Sequence, residues 1–397
     1  MYIERYTSNM HGYINRNITQ LIKKRLNSNP AVALLGARQV GKSTLAEKIL
    51  EQYPDSIYLD LERPSDLNKL TDPETYFALF QQKLICLDEI QRVPEIFSVL
   101  RSVIDRNKRN TQFLILGSAS RDLIKQSSES LAGRLSYIEV TPFTQTEVAE
   151  TTKVDLQIHW IRGGYPRSLL ALDDEDSFQW REDYIRTFLE RDIPQLGFQI
   201  PAVTMSRLWQ MLAHSHGQIL NTSKLAGSMG VSSHTVRKYI DLLQQTFMLR
   251  VLPPYVTNTK KRLVKSPKVY IRDSGILHSL LGIESLQDLF GHPVYGASFE
   301  GYIIENIISQ LSRWKASFYR TSNGAEMDLV LEKGNKRLAI EIKSSSSPMV
   351  SKGFWNSIET LQPSQSYVIA PVESSYPISD DVMVVPLHEF IKELESS

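Results

Sequence analysis

Residues 31–50 read AVALLGARQVGKSTLAEKIL, and this stretch decides the fold. Within it, Gly36-Ala37-Arg38-Gln39-Val40-Gly41-Lys42-Ser43 fills every fixed position of the pattern GxxxxGK[ST]. Glycines at Gly36 and Gly41 free the backbone for turn conformations that aim successive amide N–H groups at an anion. Lys42 then reaches terminal phosphates, the Ser43 hydroxyl can ligate Mg²⁺, and Thr44 follows in the first turn. The apolar run Ala31–Leu35 reads as a buried parallel strand. Leu45, Ile49 and Leu50 have helical spacing, so a helix N-terminus would face the phosphates. A complete match between a strand and a helix is specific, and it implies a nucleotide site formed by residues 36–44.

The partner elements lie downstream. Ser56–Leu61 is a second strand, and Gln82–Leu87 a third that ends in Asp88 and Glu89. Asp88 is placed to hold Mg²⁺ through water and Glu89 to polarise an attacking water; alone, the pair would read as an acidic turn. Phe113–Leu116 is a fourth strand, whose tip is expected between those of the second and first strands. Ser118 there is the candidate sensor of the γ-phosphate, ahead of Ser120, unless both hydroxyls cap a helix starting near Arg121. Leu135–Val140 is a fifth strand. Arg134 before it is expected on the nucleotide side of the sheet, either neutralising transition-state charge in its own or a neighbouring subunit, or forming a solvent-facing salt bridge.

Length and composition bound the rest. A chain of 397 residues suggests roughly two to four domains. With 45 basic and 44 acidic side chains, no global field selects nucleic acid or membrane, so such a preference must be local. One cysteine, Cys86, excludes an intramolecular disulfide and a cysteine-based zinc site. No run approaches the roughly 18 apolar residues of a membrane span, and the polar start does not read as a secretory signal. A cytoplasmic protein with no membrane partner is expected.

From Val154 the pattern becomes helical, broken at Gly163-Gly164-Tyr165-Pro166, with Trp180, Tyr184, Ile185, Phe188 and Leu189 at core-facing helical spacing. Residues 206–252 read as a winged helix: Ser223–Met229, a turn at 230–232, Ser233–Gln245, then a β-wing from Met248. Val236, Tyr239, Ile240 and Leu243 would pack inward and leave His234, Arg237 and Lys238 exposed for DNA. The following run holds Lys260, Lys261, Arg262, Lys265 and Lys268 without an acid, a phosphate-backbone contact or simply a solvated face. Winged helices also pack against proteins, so that alternative stands.

From about Ser266 the chain reads as a compact α/β piece. A helix over Phe299–Leu311 precedes strands at Ser317–Arg320, Met327–Leu331 and Leu338–Ile342, with turns at Asn323-Gly324 and Gly334-Asn335. Alternation places Glu341 and Lys343 on one face, with Asp328 across the turn. Asp328 and Glu341, with Glu300 from the helix, suit a second Mg²⁺ or Mn²⁺ built from hard oxygens, and Lys343 could orient a water. The other reading is a charged strand face, or an inherited fold without catalysis.

GARQVGKSTL, LICLDEIQ, LILGSAS, SLAGR, GGYP, FLERDI, KSPKVYIRDSGIL, FYRTSNGAEMDLVL and IEIKSS, in this order, resemble the AAA-type ATPases of bacteria and archaea that carry an uncharacterised C-terminal domain. Ala37 departs from the proline often found there, which stiffens the loop less. The resemblance implies an AAA-like core at 1–155, a helical lid at 156–205, a winged helix at 206–264 and a restriction-endonuclease-like domain at 265–397. It also implies ATP as the nucleotide, and a nuclease motif kept at Glu300, Asp328, Glu341 and Lys343. Proteins that it resembles are discussed in connection with DNA processing and defence against mobile elements. Two functions follow as expectations: an ATPase coupled to DNA binding or cleavage, or a nucleotide-dependent switch that binds protein partners or further copies of itself.

Overall fold

The computed structural model of the 397-residue chain describes residues 12–118, 130–152, 154–256 and 263–395. The chain forms two compact units, one of residues 8–143 with 245–247, the other of 1–7, 144–244 and 248–397. Among the described residues no helix is long and apolar enough to cross a membrane.

The first unit begins with helix α1 (Thr19–Ser28), which leads into strand β1 (Ala31–Gly36) and helix α2 (Lys42–Leu50). Strands β2 (Ile57–Asp60) and β3 (Ile85–Asp88), helix α3 (Ile96–Asn107), and strands β4 (Phe113–Ser118) and β5 (Leu135–Glu139) follow. All five strands are parallel, in the order β2-β3-β4-β1-β5. Every residue of β1 is buried, as a central parallel strand requires when helices cover both faces. Leu59, Phe77, Leu87, Leu100, Phe113 and Ile115 form much of one core, each such side chain contributing roughly 1.5–3 kcal/mol by leaving water.

Three expectations change here. The fourth strand lies between the third and the first, because β4 pairs with β1 on one side and β3 on the other. The third strand starts at Ile85 rather than Gln82, since Lys83 closes a turn onto the Phe80 carbonyl. Arg134 is not on the nucleotide side. It precedes β5 at the end where Leu135 pairs with Ala31, and its carbonyl accepts the Ala31 N–H, so the length of β1, about 16 Å, separates it from Gly36.

In the second unit, α4 (Leu156–Arg162) and α5 (Asp174–Thr187) are followed by α6 (Ala202–His214), α7 (Thr222–Met229) and α8 (Ser233–Gln245). Strands β6 (Leu249–Leu252) and β7 (Lys268–Ile271) form an antiparallel ribbon, and Ile219 bridges to Lys268 beside it. Helices α9 (Ser274–Leu280) and α10 (Tyr295–Gln310) precede the C-terminal sheet. The Trp160 indole N–H donates to Ser298 Oγ at 2.9 Å, which ties α4 to α10. Strands β8 (Lys315–Arg320), β9 (Glu326–Lys333), β10 (Lys336–Ile342), β11 (Gln365–Ile369), β12 (Tyr376–Ser379) and β13 (Val382–Val385) make a mixed sheet, with helices α11 (Lys352–Leu361) and α12 (Leu387–Glu395). Its order is β12-β13-β11-β10-β9-β8, with β8-β9-β10 an antiparallel meander joined to parallel β10-β11.

Candidate functional site

The loop between β1 and α2 takes its shape from two backbone demands. Gly41 has φ of 90°, the left-handed region open to glycine. Gly36 does not. Its role is close approach, since a Cβ there would lie 2.1 Å from the Val140 carbonyl oxygen. Gln39, a non-glycine, also takes a left-handed φ of 63°, which the motif does not announce. Ala37 and Val40 are buried, Ser43 and Thr44 exposed, and Arg38 points to the rim with its guanidinium 3.9 Å from Glu62.

Lys42 is buried and donates to the carbonyls of Gly36 at 3.1 Å and Ala37 at 2.7 Å. Burial lowers its ammonium pKa to about 8, with Glu89 and Asp88 opposing the shift. Ser43 Oγ donates to Asp88 Oδ2 at 2.7 Å, which joins the first turn of α2 to the tip of β3. The Glu89 N–H donates to Asp88 Oδ1 at 2.8 Å. Glu89 follows with a left-handed φ of 55°, and its carboxylate accepts from the Gln91 amide. Burial raises the Glu89 carboxyl above its ordinary pKa, while Lys42 pulls it back. Ser118 ends β4 in register with Gly36, and its buried Oγ has no hydrogen-bond partner. A buried orphan hydroxyl beside the loop, with a serine hydroxyl and a carboxylate as hard donors, fits a phosphate with Mg²⁺. Ser120 and Arg121 lie outside the described residues.

Two residues escaped the sequence reading. Tyr58 on β2 donates its O–H to Asp88 Oδ2, the oxygen that also accepts Ser43. Its period-2 position opposite β3 is the signal, because Ile57–Asp60 pairs in register with Ile85–Asp88. Arg16 is buried and donates to the Val40 carbonyl at 3.1 Å and the Thr141 carbonyl at 2.7 Å, with Phe143 under its guanidinium. It fastens the loop from a segment without a motif. Arg134 instead forms a two-pronged ion pair with Asp105 at 2.6 and 2.9 Å.

In the second unit the predicted acidic residues converge. Lys343 Nζ donates to Glu341 Oε1 at 2.7 Å, and the Ile342 N–H donates to Asp328 Oδ2 at 2.9 Å. Asp328 and Glu341 stand one step beyond the pair Ile340–Leu329 in the antiparallel register. Burial, with Glu300 and Glu341 nearby, drives the Asp328 carboxyl well above its ordinary pKa. Burial likewise raises Glu341, against the pull of Lys343. Glu341 Oε2 is buried without a partner. Glu300 Oε1 is taken by Lys268 Nζ at 2.9 Å and by the Tyr270 O–H at 2.5 Å.

Lys268 corrects an expectation. It is 2% exposed, so it offers nothing to a phosphate backbone. Its ammonium lies 2.8 Å from Glu326 Oε1 and 3.8 Å from Asp328 Oδ1 in addition to Glu300. Of the same run, Lys265 is exposed, and Lys260, Lys261 and Arg262 lie outside the described residues. His234, Arg237 and Lys238 are exposed on α8, while Val236, Ile240 and Leu243 are buried, as the helical spacing predicts. Among the described residues no three His, Cys, Asp or Glu side chains are grouped so as to hold a metal ion.

A complete phosphate loop, an acidic strand tip bonded to it and a 2-3-4-1-5 parallel sheet define an AAA-type ATPase domain, and an AAA domain matches residues 28–149. Residues 153–287 and 295–390 match two domains of unknown function, DUF8612 and DUF4143. The chain is 40% identical over 376 residues to the uncharacterized protein Rv2008c of Mycobacterium tuberculosis, and equally to Mb2031c of Mycobacterium bovis, covering 95% of this chain and 84% of each relative. It belongs to their family. Among solved structures, the Walker-type ATPase PABY2304 of Pyrococcus abyssi matches at 15% identity and a TM-score of 0.49, over 68% of this chain and 97% of that one.

Proposed function

We propose that this chain is a Mg²⁺-dependent ATPase whose nucleotide state is coupled to DNA binding. The observation that carries the reading is the hydrogen bond from Ser43 to Asp88, with Lys42 buried beside it and Glu89 at the strand tip. Lys42 exchanges its carbonyl partners for phosphate oxygens, and the amides of 38–43 cradle the same group. Mg²⁺, when bound, neutralises charge on the phosphate oxygens. Ser43 and Asp88 hold its position, Glu89 accepts a hydrogen bond from the attacking water, and Ser118 donates to the terminal phosphate.

Support for the DNA partner is local. Residues 202–271 run helix, helix, helix, ribbon, with an extra bridge from Ile219 to Lys268, the element order of a winged helix. His234, Arg237 and Lys238 form an exposed basic face on its third helix. A restriction-endonuclease-like reading of the C-terminal sheet is favoured by one observation, the unpartnered buried Oε2 of Glu341 beside Asp328, which suits a divalent cation.

Lys42→Ala is expected to lower ATP turnover at least about 100-fold, because the cation opposite the developing phosphate charge is lost. A phosphate-release assay on the full chain checks it. Unchanged turnover in the variant sinks the ATPase reading. Fluorescence anisotropy with duplex DNA tests the partner: affinity should fall steeply with salt and weaken in Arg237→Ala with Lys238→Ala. DNA indifference at low salt would instead favour a switch that binds protein.

A further inference from the structure

The C-terminal cluster contains a buried lysine that the ATPase reading does not use. Lys268 leaves the ribbon at the start of β7 and reaches between α10 and β9. Its ammonium has three N–H donors. Two are spent on Glu300 Oε1 at 2.9 Å and Glu326 Oε1 at 2.8 Å, and Asp328 Oδ1 stands 3.8 Å away. Tyr270, two residues on along the same strand, donates to the same Glu300 oxygen. The Phe318 ring also faces the ammonium, its centroid 5.6 Å from Nζ. A side chain 3% exposed with this environment is a cation held in a cage of oxygens.

The charges divide into two halves. Glu300 and Glu326 are committed to Lys268, and Arg320 adds a longer contact to Glu326 at 3.5 Å from the exposed rim. Asp328 and Glu341 have less: a backbone N–H on Asp328 Oδ2, and Lys343 on Glu341 Oε1. Four carboxylates thus face two buried or half-buried ammonium groups, one to each half, and Arg320 adds its charge only beside Glu326, so the Asp328–Glu341 side is the less covered. Glu341 Oε2 is the atom left without a partner there. Among the described residues no three such side chains are grouped to hold an ion, and Lys268 engages two of the four carboxylates and stands close to a third.

From this we infer that Lys268 is a built-in cation that takes the place of a second metal, so the site accepts a single divalent ion, on Asp328 and Glu341, with Glu300 serving as an anchor for Lys268 rather than as a ligand. The inference rests on the cation reading of this cluster given above. It differs from a two-metal arrangement, in which two ions share the carboxylates.

Mn²⁺ titration of the nucleotide-free full chain, followed by electron paramagnetic resonance of free Mn²⁺, tests it. Ser43→Ala is carried throughout to remove the hydroxyl ligand of the other site. One ion per chain is expected, abolished by Asp328→Asn or Glu341→Gln. Lys268→Met should bind two, because the freed Glu300 and Glu326 become available. Two ions with Lys268 intact, or one in folded Lys268→Met, would overturn the inference and leave the cation reading standing. No Mn²⁺ bound by the parent chain would overturn both. Should Lys268→Met fail to fold, Glu300→Gln decides: binding of one ion is retained if Glu300 is an anchor, and lost as in Asp328→Asn if it is a ligand.

Discussion

At the scale of residues, Tyr58 shows how the nucleotide site is held together. Asp88 Oδ2 accepts from Ser43 and from the Tyr58 O–H, so under the proposed Mg²⁺ role of Ser43 the tyrosine is the donor that would keep the carboxylate aimed. Burial and the Asp88 charge both raise the phenol pKa, so Tyr58 is a donor throughout the working pH range. Tyr58→Phe keeps the ring and removes the donor. The half-saturating Mg²⁺ concentration should rise by roughly 10-fold, in the lower part of the range for partners behind a metal ligand, while the ATP concentration for half-maximal rate at saturating Mg²⁺ stays the same. Turnover measured across a Mg²⁺ series separates the two. If both parameters move together, Tyr58 supports the strand generally and does not position Asp88.

At the scale of elements, Glu305 is one of two carboxylates that tie α10 to the β6–β7 ribbon, the other being Glu300. Glu305 accepts from Arg250 at 2.5 and 2.9 Å and from Arg272 at 2.6 Å. Burial would raise its pKa, but the two guanidinium groups outweigh that and hold it at about 2. The folded pKa lies below the unfolded value, so this stabilisation is complete above about pH 4.5 and is lost as pH falls toward 2. Glu305→Gln should cost about 3–5 kcal/mol at neutral pH, since two largely buried cations lose their counter-charge. Thermal melts from pH 7 downward should show the gap to wild type closing only below about pH 4.5. A gap independent of pH would mean that packing, not charge, is lost. None of this was legible in the sequence, where Arg250, Arg272 and Glu305 are far apart. Legible elements were those with local periods and fixed spacings: the loop at 36–43, the five parallel strands, helices at 222–229 and 233–245, and the hairpins at 315–342. Apart from the start of β3, which a local turn at Lys83 delays, the misreadings share one cause. The side of the sheet occupied by Arg134, the neighbours of β4 and the burial of Lys268 depend on strand order and on long-range pairing, which no local pattern encodes.

At the scale of the whole molecule, coupling between nucleotide and DNA is a thermodynamic claim and can be tested without knowing its route. If ATP changes DNA affinity by some factor, DNA must change ATP affinity by the same factor. Coupling of ordinary strength, about 1–3 kcal/mol, corresponds to about 5- to 150-fold. A cycle of four dissociation constants therefore measures it, using Glu89→Gln to slow hydrolysis while Lys42, Ser43 and Asp88 remain to bind. The two ratios should agree and exceed about fivefold. Lys42→Ala should bring the DNA ratio to unity, because that variant no longer reports the nucleotide to the rest of the chain. Hydrogen exchange gives the spatial counterpart. Nucleotide at about 100 times its dissociation constant should stabilise the first unit by about 2.7 kcal/mol, slowing the amides of β1, β3 and β4. Any change in 233–244 or in β8–β11 then reports coupling, because those residues belong to the other unit, which has a core of its own. Agreement of both ratios at unity, with slowed exchange confined to the first unit, would leave an ATPase and a DNA-binding surface on one chain with no energetic link. The protein-partner switch would then be the reading to pursue, with the same cycle run against candidate partners in place of DNA.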